Sequence, residues 1–330
     1  MSDAVIENKE VTWKALDIPV HGTITAPKDR EARPAVVFVA GSGPTDRNWC
    51  SPLLPGSNGT ARLLAEALAS RGFLTLRYDK LASGPHAREN LPKFVGKLSM
   101  RSHMEELSGA VETMVSEDNV DENELFVLTS SEGAIHAVNY QLQAKSNRFK
   151  GLVLTGAPGR AIGDVGRSQI FSQIKSMPNA EILIKPYDDA IAQYVSNKPM
   201  VVSPSLPDGI KRVLYSLENP ANLPFGRELW AYSLAEHIGK VNEPILVLIG
   251  KKDLQTDWKI DGGALENATA QKTSVSFAYP ENANHVLKHE EIPIEKLTGA
   301  YVGAHYNAPD AVLDDEAANA ILGWLAAQRN

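Results

Sequence analysis

The 330-residue sequence predicts an α/β protein built on a doubly wound, mostly parallel sheet with a helical insertion. Three observations carry that expectation. Short, mostly apolar runs, AVVFVA (35–40), FLTLRY (73–78), LFVL (125–128), GLVLT (151–155) and PILVLI (244–249), read as buried strands, the first of them apolar throughout. Between several of them apolar residues recur at helical spacing, so strand and crossover helix alternate. From about 161 to 240 the alternation stops, and short helical patterns with the proline-rich piece KPMVVSPSLPDG take its place. One domain over 1–330 is therefore expected, with a helical cap, 161–240, inserted between two of its strands.

Residues 11–27 alternate apolar with polar and end at Pro27, as in an antiparallel hairpin with one wet face. The run 35–40 leads into Gly41-Ser42-Gly43-Pro44, a turn for small residues, and then a long loop. Leu63, Leu64, Ala67 and Leu68 make one face of a helix over 60–71 that Gly72 stops. Asp79 and Lys80 end the strand 73–78, and 81–94 reads as loop. Met104, Leu107, Val111 and Met114 predict an amphipathic helix over 102–115, and a further helix is expected over 132–145. After the insertion come strands at 244–249 and 274–279 and a last helix over about 315–328.

Hydrophobic residues at 43% and charged residues at 22% are ordinary for a globular chain, with no repeat or low-complexity tract. The net charge of -7 is spread without a basic stripe, which argues against nucleic acid or an anionic membrane as partner. The single cysteine, Cys50, excludes an intramolecular disulfide and a thiolate zinc site. The start, MSDAVIENKE, has no apolar core of a secretory signal, and no apolar run has spanning length, so a cytoplasmic location is expected.

In open α/β sheets functional groups gather at the carboxyl ends of strands. Ser131 follows one strand within Thr129-Ser130-Ser131-Glu132-Gly133, Asp253 follows another in Gly250-Lys251-Lys252-Asp253, and His285 lies beyond a third. A serine hydroxyl needs an imidazole to take its proton as it attacks. A carboxylate at the far ring nitrogen holds that imidazole in the right tautomer. Ser131, His285 and Asp253 are the candidates for these roles. Ser130, Asp257 and His289 are their neighbouring competitors, and Ser131 also reads as a helix N-cap. An oxyanion would be held by the backbone N–H groups of Ser42 and Glu132. Arg47, Asp46 and Asp79 read as a structural ion-pair set beneath the site, with substrate binding as the alternative. Trp230, Tyr232, Tyr187 and Tyr194 in the cap are candidates to line a substrate pocket or to pack cap helices together. His86, His103 and His136 lack metal-ligand spacing, and the glycine turn lacks the rest of a nucleotide loop, so neither a metal nor another cofactor is expected.

The segments GSGPTDRN (41–48), LRYDK (76–80), SSEG (130–133), GKKDLQ (250–255) and NANHVLK (282–288) resemble signatures of α/β-hydrolase fold serine esterases of the dienelactone-hydrolase and acyl-peptidase-like group. The resemblance covers nearly the whole chain. It implies an α/β-hydrolase fold, a small ester-type substrate cleaved through an acyl-enzyme, and the Ser131, Asp253 and His285 roles above. A lactonase, thioesterase or small-peptide hydrolase with the same triad is the alternative, and a non-catalytic ligand-binding homologue a further one. Serine at the elbow argues against the aspartate-using dehalogenase and epoxide-hydrolase relatives. Two departures stand out: Thr129 occupies the first elbow-glycine position, and Leu81-Ala82-Ser83 follows Asp79-Lys80 where Arg-Gly is usual. Oligomeric state is not indicated.

Overall fold

The computed structural model describes residues 5–29, 31–175 and 177–329; residues 1–4 of the amino-terminal stretch lie outside them. An 8-stranded sheet runs in the order β1-β2-β4-β3-β5-β6-β7-β8. Its first two strands, β1 (Ile6–Ala15) and β2 (Ile18–Pro27), form the expected hairpin. The turn between them takes Leu16 and Asp17 at φ of 51° and 60°, the sense of twist a two-residue hairpin turn requires. From β4 (Leu74–Tyr78) through β3 (Arg33–Val39), β5 (Val120–Ser130), β6 (Gly151–Thr155), β7 (Ile245–Leu248) and β8 (Val275–Ala278) all pairing is parallel. Sheet and order are those of an α/β-hydrolase fold.

Strand pleating divides the core in two. Ala35, Val37, Val39, Leu125 and Val127 face one layer, while Val36, Phe38, Phe126 and Leu128 face the other. The first layer is closed by α3 (Met100–Val115) and α4 (Gly133–Gln143), the second by α1 (Thr60–Ala69) and α12 (Asp315–Ala327). Burial on both sides explains why these strands carry no polar alternation. A Ser99–Ser102 capping box starts α3, two residues earlier than its apolar stripe suggested.

The stretch 81–94 is not all loop, because α2 (Ala87–Phe94) forms there. It was hidden by Pro92, yet the helix buries Asn90 and Phe94 and ends one residue later at Val95. Two further helices, α10 (Ile260–Ala268) and α11 (Gly299–His305), carry too little apolar periodicity to be read from sequence.

Between β6 and β7 the chain forms α5 (Ile162–Ile174), α6 (Ala180–Val195), α7 (Asp208–Leu217), α8 (Phe225–Trp230) and α9 (Ala235–Ile238), with no strand assigned among the described residues. Ile170, Ile174, Ile184, Tyr187, Ile210 and Leu214 give α5, α6 and α7 a small core of their own. Among the described residues no helix is long and apolar enough to cross a membrane.

Candidate active site

The β5–α4 junction turns within one residue. Ser131 has φ of 52°, the left-handed region, while the strand pairs with β6 right up to Ser130 opposite Thr155. A non-glycine residue held there costs of order 1–3 kcal/mol, so the surroundings must impose it. They do so through contact: a Cβ on Gly133 would lie 2.4 Å from the Val39 carbonyl oxygen, and one on Gly41 would lie 3.1 Å from that of Ser130. The Ser131 N–H donates to the Thr155 carbonyl at 2.7 Å. Close approach is thus needed at Gly133 and Gly41. Thr129 sits before the bend in extended, fully buried strand, with its hydroxyl donating to the Val153 carbonyl at 3.3 Å. A β-branched residue suits that position.

His285 Nδ1 lies 2.7 Å from Asp253 Oδ2, and both residues are buried. The other carboxylate oxygen of Asp253 accepts the N–H groups of Gln255 (2.7 Å) and Thr256 (2.9 Å), so Asp253 cannot swing away from the ring. Thr256 in turn donates to the Gly156 carbonyl at 3.1 Å. Gly156 has φ of 56°, and a Cβ there would lie 3.1 Å from His285 Cε1. Sequence reading passed over this glycine, although it is the residue directly after β6 and inspection of strand ends would have found it.

Ser131, His285, Gly41, Ser42, Gly43 and Tyr306 line one cleft of about 240 Å³. Among the described residues no hydrogen bond joins Ser131 Oγ to His285, so proton transfer between them would require the two to close up. The N–H groups of Ser42 and Glu132 donate to no protein acceptor among the described residues. The Glu132 N–H also lies at the start of α4, where the helix dipole favours negative charge.

Two of the competing residues are engaged elsewhere: Asp257 accepts the N–H groups of Lys259 and Ile260, and His289 Nδ1 is 2.8 Å from Asp314. Ser130 ends β5 and lines the same cleft as Ser131, but without the left-handed backbone of the elbow. Arg47 clasps Asp79 through Nε at 2.9 Å and Nη2 at 2.8 Å, and its own N–H donates to Asp79 at 2.8 Å. Asp46 instead closes a local turn onto the N–H groups of Asn48 and Cys50. The unusual Leu81-Ala82-Ser83 leads to Gly84 at φ of 69°, where a Cβ would lie 2.3 Å from the Asp79 carboxyl carbon. The turn therefore wraps the ion pair.

The cap aromatics are not brought to this cleft. Tyr187 and Tyr194 are buried, Trp230 lies edge-on to Tyr194, and Tyr232 donates to Asn139 at 2.8 Å while stacking on His237. None of the four lines the Ser131 cleft. The reason is packing: Gly163 and Gly166 of α5 make room for the Trp230 ring, which draws these side chains inward.

Beneath the glycine turn lies a buried set of charges that sequence spacing could not reveal. Lys80 Nζ donates to the Gly41 carbonyl and stands 3.8 Å from Glu132 Oε1. His136 Nε2 is 3.1 Å from that same oxygen, and His103 Nδ1 is 2.7 Å from Glu106. Burial favours the neutral acid in Glu132, but the Lys80 ammonium and His136 hold it well below the usual carboxylate range. Burial keeps His136 below the usual imidazole range. His103, Glu132 and His136 bring ligand atoms within 4.8 Å of one another, a donor set a divalent cation could use. The adjacent ammonium already supplies the countercharge.

The fold agrees with solved structures over most of the chain. Proline iminopeptidase from Mycobacterium smegmatis superposes with a TM-score of 0.57 at 14% identity, covering 97% of this chain and 98% of that one. A Klebsiella pneumoniae protein assigned as a dienelactone hydrolase gives 0.54 at 14% identity, covering 98% and 99%. The chain has the α/β-hydrolase fold. No protein-family model matches the sequence. Its sequence is similar to the esterase EstD of Thermotoga maritima, 29% identical over 165 residues, a stretch covering half of this chain and 35% of EstD. Acylaminoacyl peptidase from Pyrococcus horikoshii has a TM-score of 0.52 at 16% identity, covering 85% of this chain and 38% of that one.

Proposed function

We propose that the protein is a serine hydrolase that cleaves carboxylic esters through an acyl-enzyme. One observation carries the reading: the 2.7 Å contact between His285 Nδ1 and Asp253, in the cleft where Ser131 projects from a left-handed elbow. In this reaction Ser131 Oγ attacks the ester carbonyl carbon and its proton passes to His285 Nε2. Asp253 accepts the Nδ1–H bond and stabilises the imidazolium. The carbonyl oxygen becomes an oxyanion facing the Ser42 and Glu132 N–H groups. The tetrahedral centre collapses, the C–O bond to the leaving group breaks, and His285 returns the proton to the departing oxygen. Water then takes the place of the alcohol and repeats the sequence in reverse to release the acid. The sequence similarity to EstD supports an ester substrate. Segment 161–240 is read as a cap, since it builds walls of the chambers on either side of the cleft.

A fluorophosphonate probe tests the nucleophile: the wild type should be labelled and Ser131→Ala should not. Equal labelling of both proteins would sink the assignment. A panel of p-nitrophenyl esters run beside lactones, thioesters and aminoacyl amides then separates the acyl-transfer chemistries. Turnover confined to amides would replace the esterase reading with a peptidase one.

A further inference from the structure

Two chambers open from the Ser131 cleft, and they differ in chemistry. The first, about 390 Å³, adjoins the cleft through Gly43 and Pro44 and is walled mostly by carbon from Leu91, Phe94, Leu98 and Phe225. Of its polar lining, Lys80 faces Glu132 and His103 Nδ1 meets Glu106, while His103 Nε2 is buried without a partner and Arg88 and Asn222 stand at its wall. The second, about 920 Å³, adjoins the cleft through Leu54, Gln255 and Tyr306, reaches Asp253 and is mixed, with Ser168, Gln169 and Ser172 set among Val165, Leu297 and Val302.

We propose that the carbon-lined chamber takes the acyl group and the larger mixed one the leaving group, so that the substrate is an ester joining a compact apolar acyl chain to a bulkier alcohol that carries hydrogen-bonding groups. The assignment rests on the serine-hydrolase reading and follows from the geometry of acyl transfer. A tetrahedral carbon on Ser131 has three other substituents. The oxyanion points at the Ser42 and Glu132 N–H groups. The leaving oxygen must take its proton from His285, so the leaving group extends to the His285–Asp253 side, where the mixed chamber begins. The acyl chain keeps the remaining direction, past Gly43 and Pro44. Arg160, the guanidinium in the mixed chamber, is held by Asp261 at 2.8 Å, and Asp253 and Asp257 also line it, so an uncharged alcohol suits it better than an anionic one.

The test crosses two substrate series with two variants. For p-nitrophenyl esters from acetyl to octanoyl, wild-type kcat/KM should rise about fourfold per methylene until the chamber is full. Glyceryl butyrate should be cleaved faster than methyl butyrate. Leu91→Trp, which fills the first chamber from α2, should cut the octanoyl-to-acetyl ratio at least tenfold and leave the glyceryl-to-methyl ratio as it was. Ser172→Trp, from α5, should do the reverse. A flat chain-length series, a succinyl half-ester outrunning the hexanoyl ester, or both ratios moving in one variant would overturn the assignment. Fluorophosphonate labelling separates the two levels. Labelled protein with flat ratios loses only the chamber assignment, while unlabelled protein loses the hydrolase reading itself.

Discussion

Replacing Lys80 by methionine should destabilise the protein by about 3–5 kcal/mol at pH 7, the range for breaking one side of a buried ion pair. Lys80 is 4% exposed and Glu132 2%, so water cannot take over the lost charge. Glu132 would keep only His136 as partner, and the Gly41 carbonyl would lose the ammonium that donates to it. The pH dependence gives the sharper test. Lys80 holds the folded pKa of Glu132 below its unfolded value, so this carboxylate contributes stability above the unfolded pKa and loses it as pH falls through the folded one. Without the ammonium the folded pKa rises, the mutant's carboxyl can bind a proton at mild acidity, and the penalty should shrink from pH 7 to pH 4. Urea unfolding at both pH values measures it. Adding Glu132→Gln should recover about 0.5–3 kcal/mol of the loss as a coupling energy, since the two groups interact directly. Turnover of Lys80→Met should fall mainly in kcat, because the Gly41 turn carries the Ser42 donor, by less than the roughly 10²–10³-fold that loss of one oxyanion donor costs. A variant within 1 kcal/mol of wild type, or one whose penalty is the same at pH 4 and pH 7, would refute the reasoning.

Other expectations follow from single contacts. Asp253→Asn keeps an oxygen for the Gln255 and Thr256 N–H groups but turns an amide toward His285, forcing the wrong tautomer; kcat should drop by about 10⁴ with little change in thermal stability, as read by steady-state kinetics and a melting curve. Gly156→Ala places a methyl 3.1 Å from His285 Cε1 at a φ of 56°, so it should cost about 1–2 kcal/mol in urea unfolding and lower kcat by displacing the ring; wild-type values for both would show that the close approach is not needed. Cys50 is buried, and burial, with Asp46 adding to it, pushes its thiol up to about 11. At pH 8 a disulfide reagent should therefore modify the native protein about two orders of magnitude more slowly than the unfolded chain, and fast native labelling would contradict that burial.

Much of the fold was written locally. Strands buried on both faces are apolar at most positions, so AVVFVA, LFVL and GLVLT announce themselves without knowledge of their neighbours. Ser131, Asp253 and His285 were legible for a related reason: the carboxyl ends of such strands are fixed once the strands are, and few residues there can do chemistry. Helix α2 was missed because its stabilising contacts, through Asn90 and Phe94, are tertiary and its Pro92 reads as a breaker. For the aromatics of 161–240 the sequence leaves pocket lining and helix packing both open, because residue type alone does not say which way a ring faces. Packing around Gly163 and Gly166 decides it.

Sequence by itself determined the strand order of chemistry, serine then aspartate then histidine, and the small residues that permit a sharp elbow. Tertiary structure alone decided that Asp253 and not Asp257 meets His285, and that Lys80 and Glu132 pair beneath the glycine turn. It also decided that the cleft adjoins one carbon-lined chamber and one of mixed lining. The physical reason is range. Burial pattern and backbone conformation are properties of neighbours along the chain, whereas an ion pair or a cavity wall is set by elements far apart in sequence that only the packed sheet brings within a few ångströms.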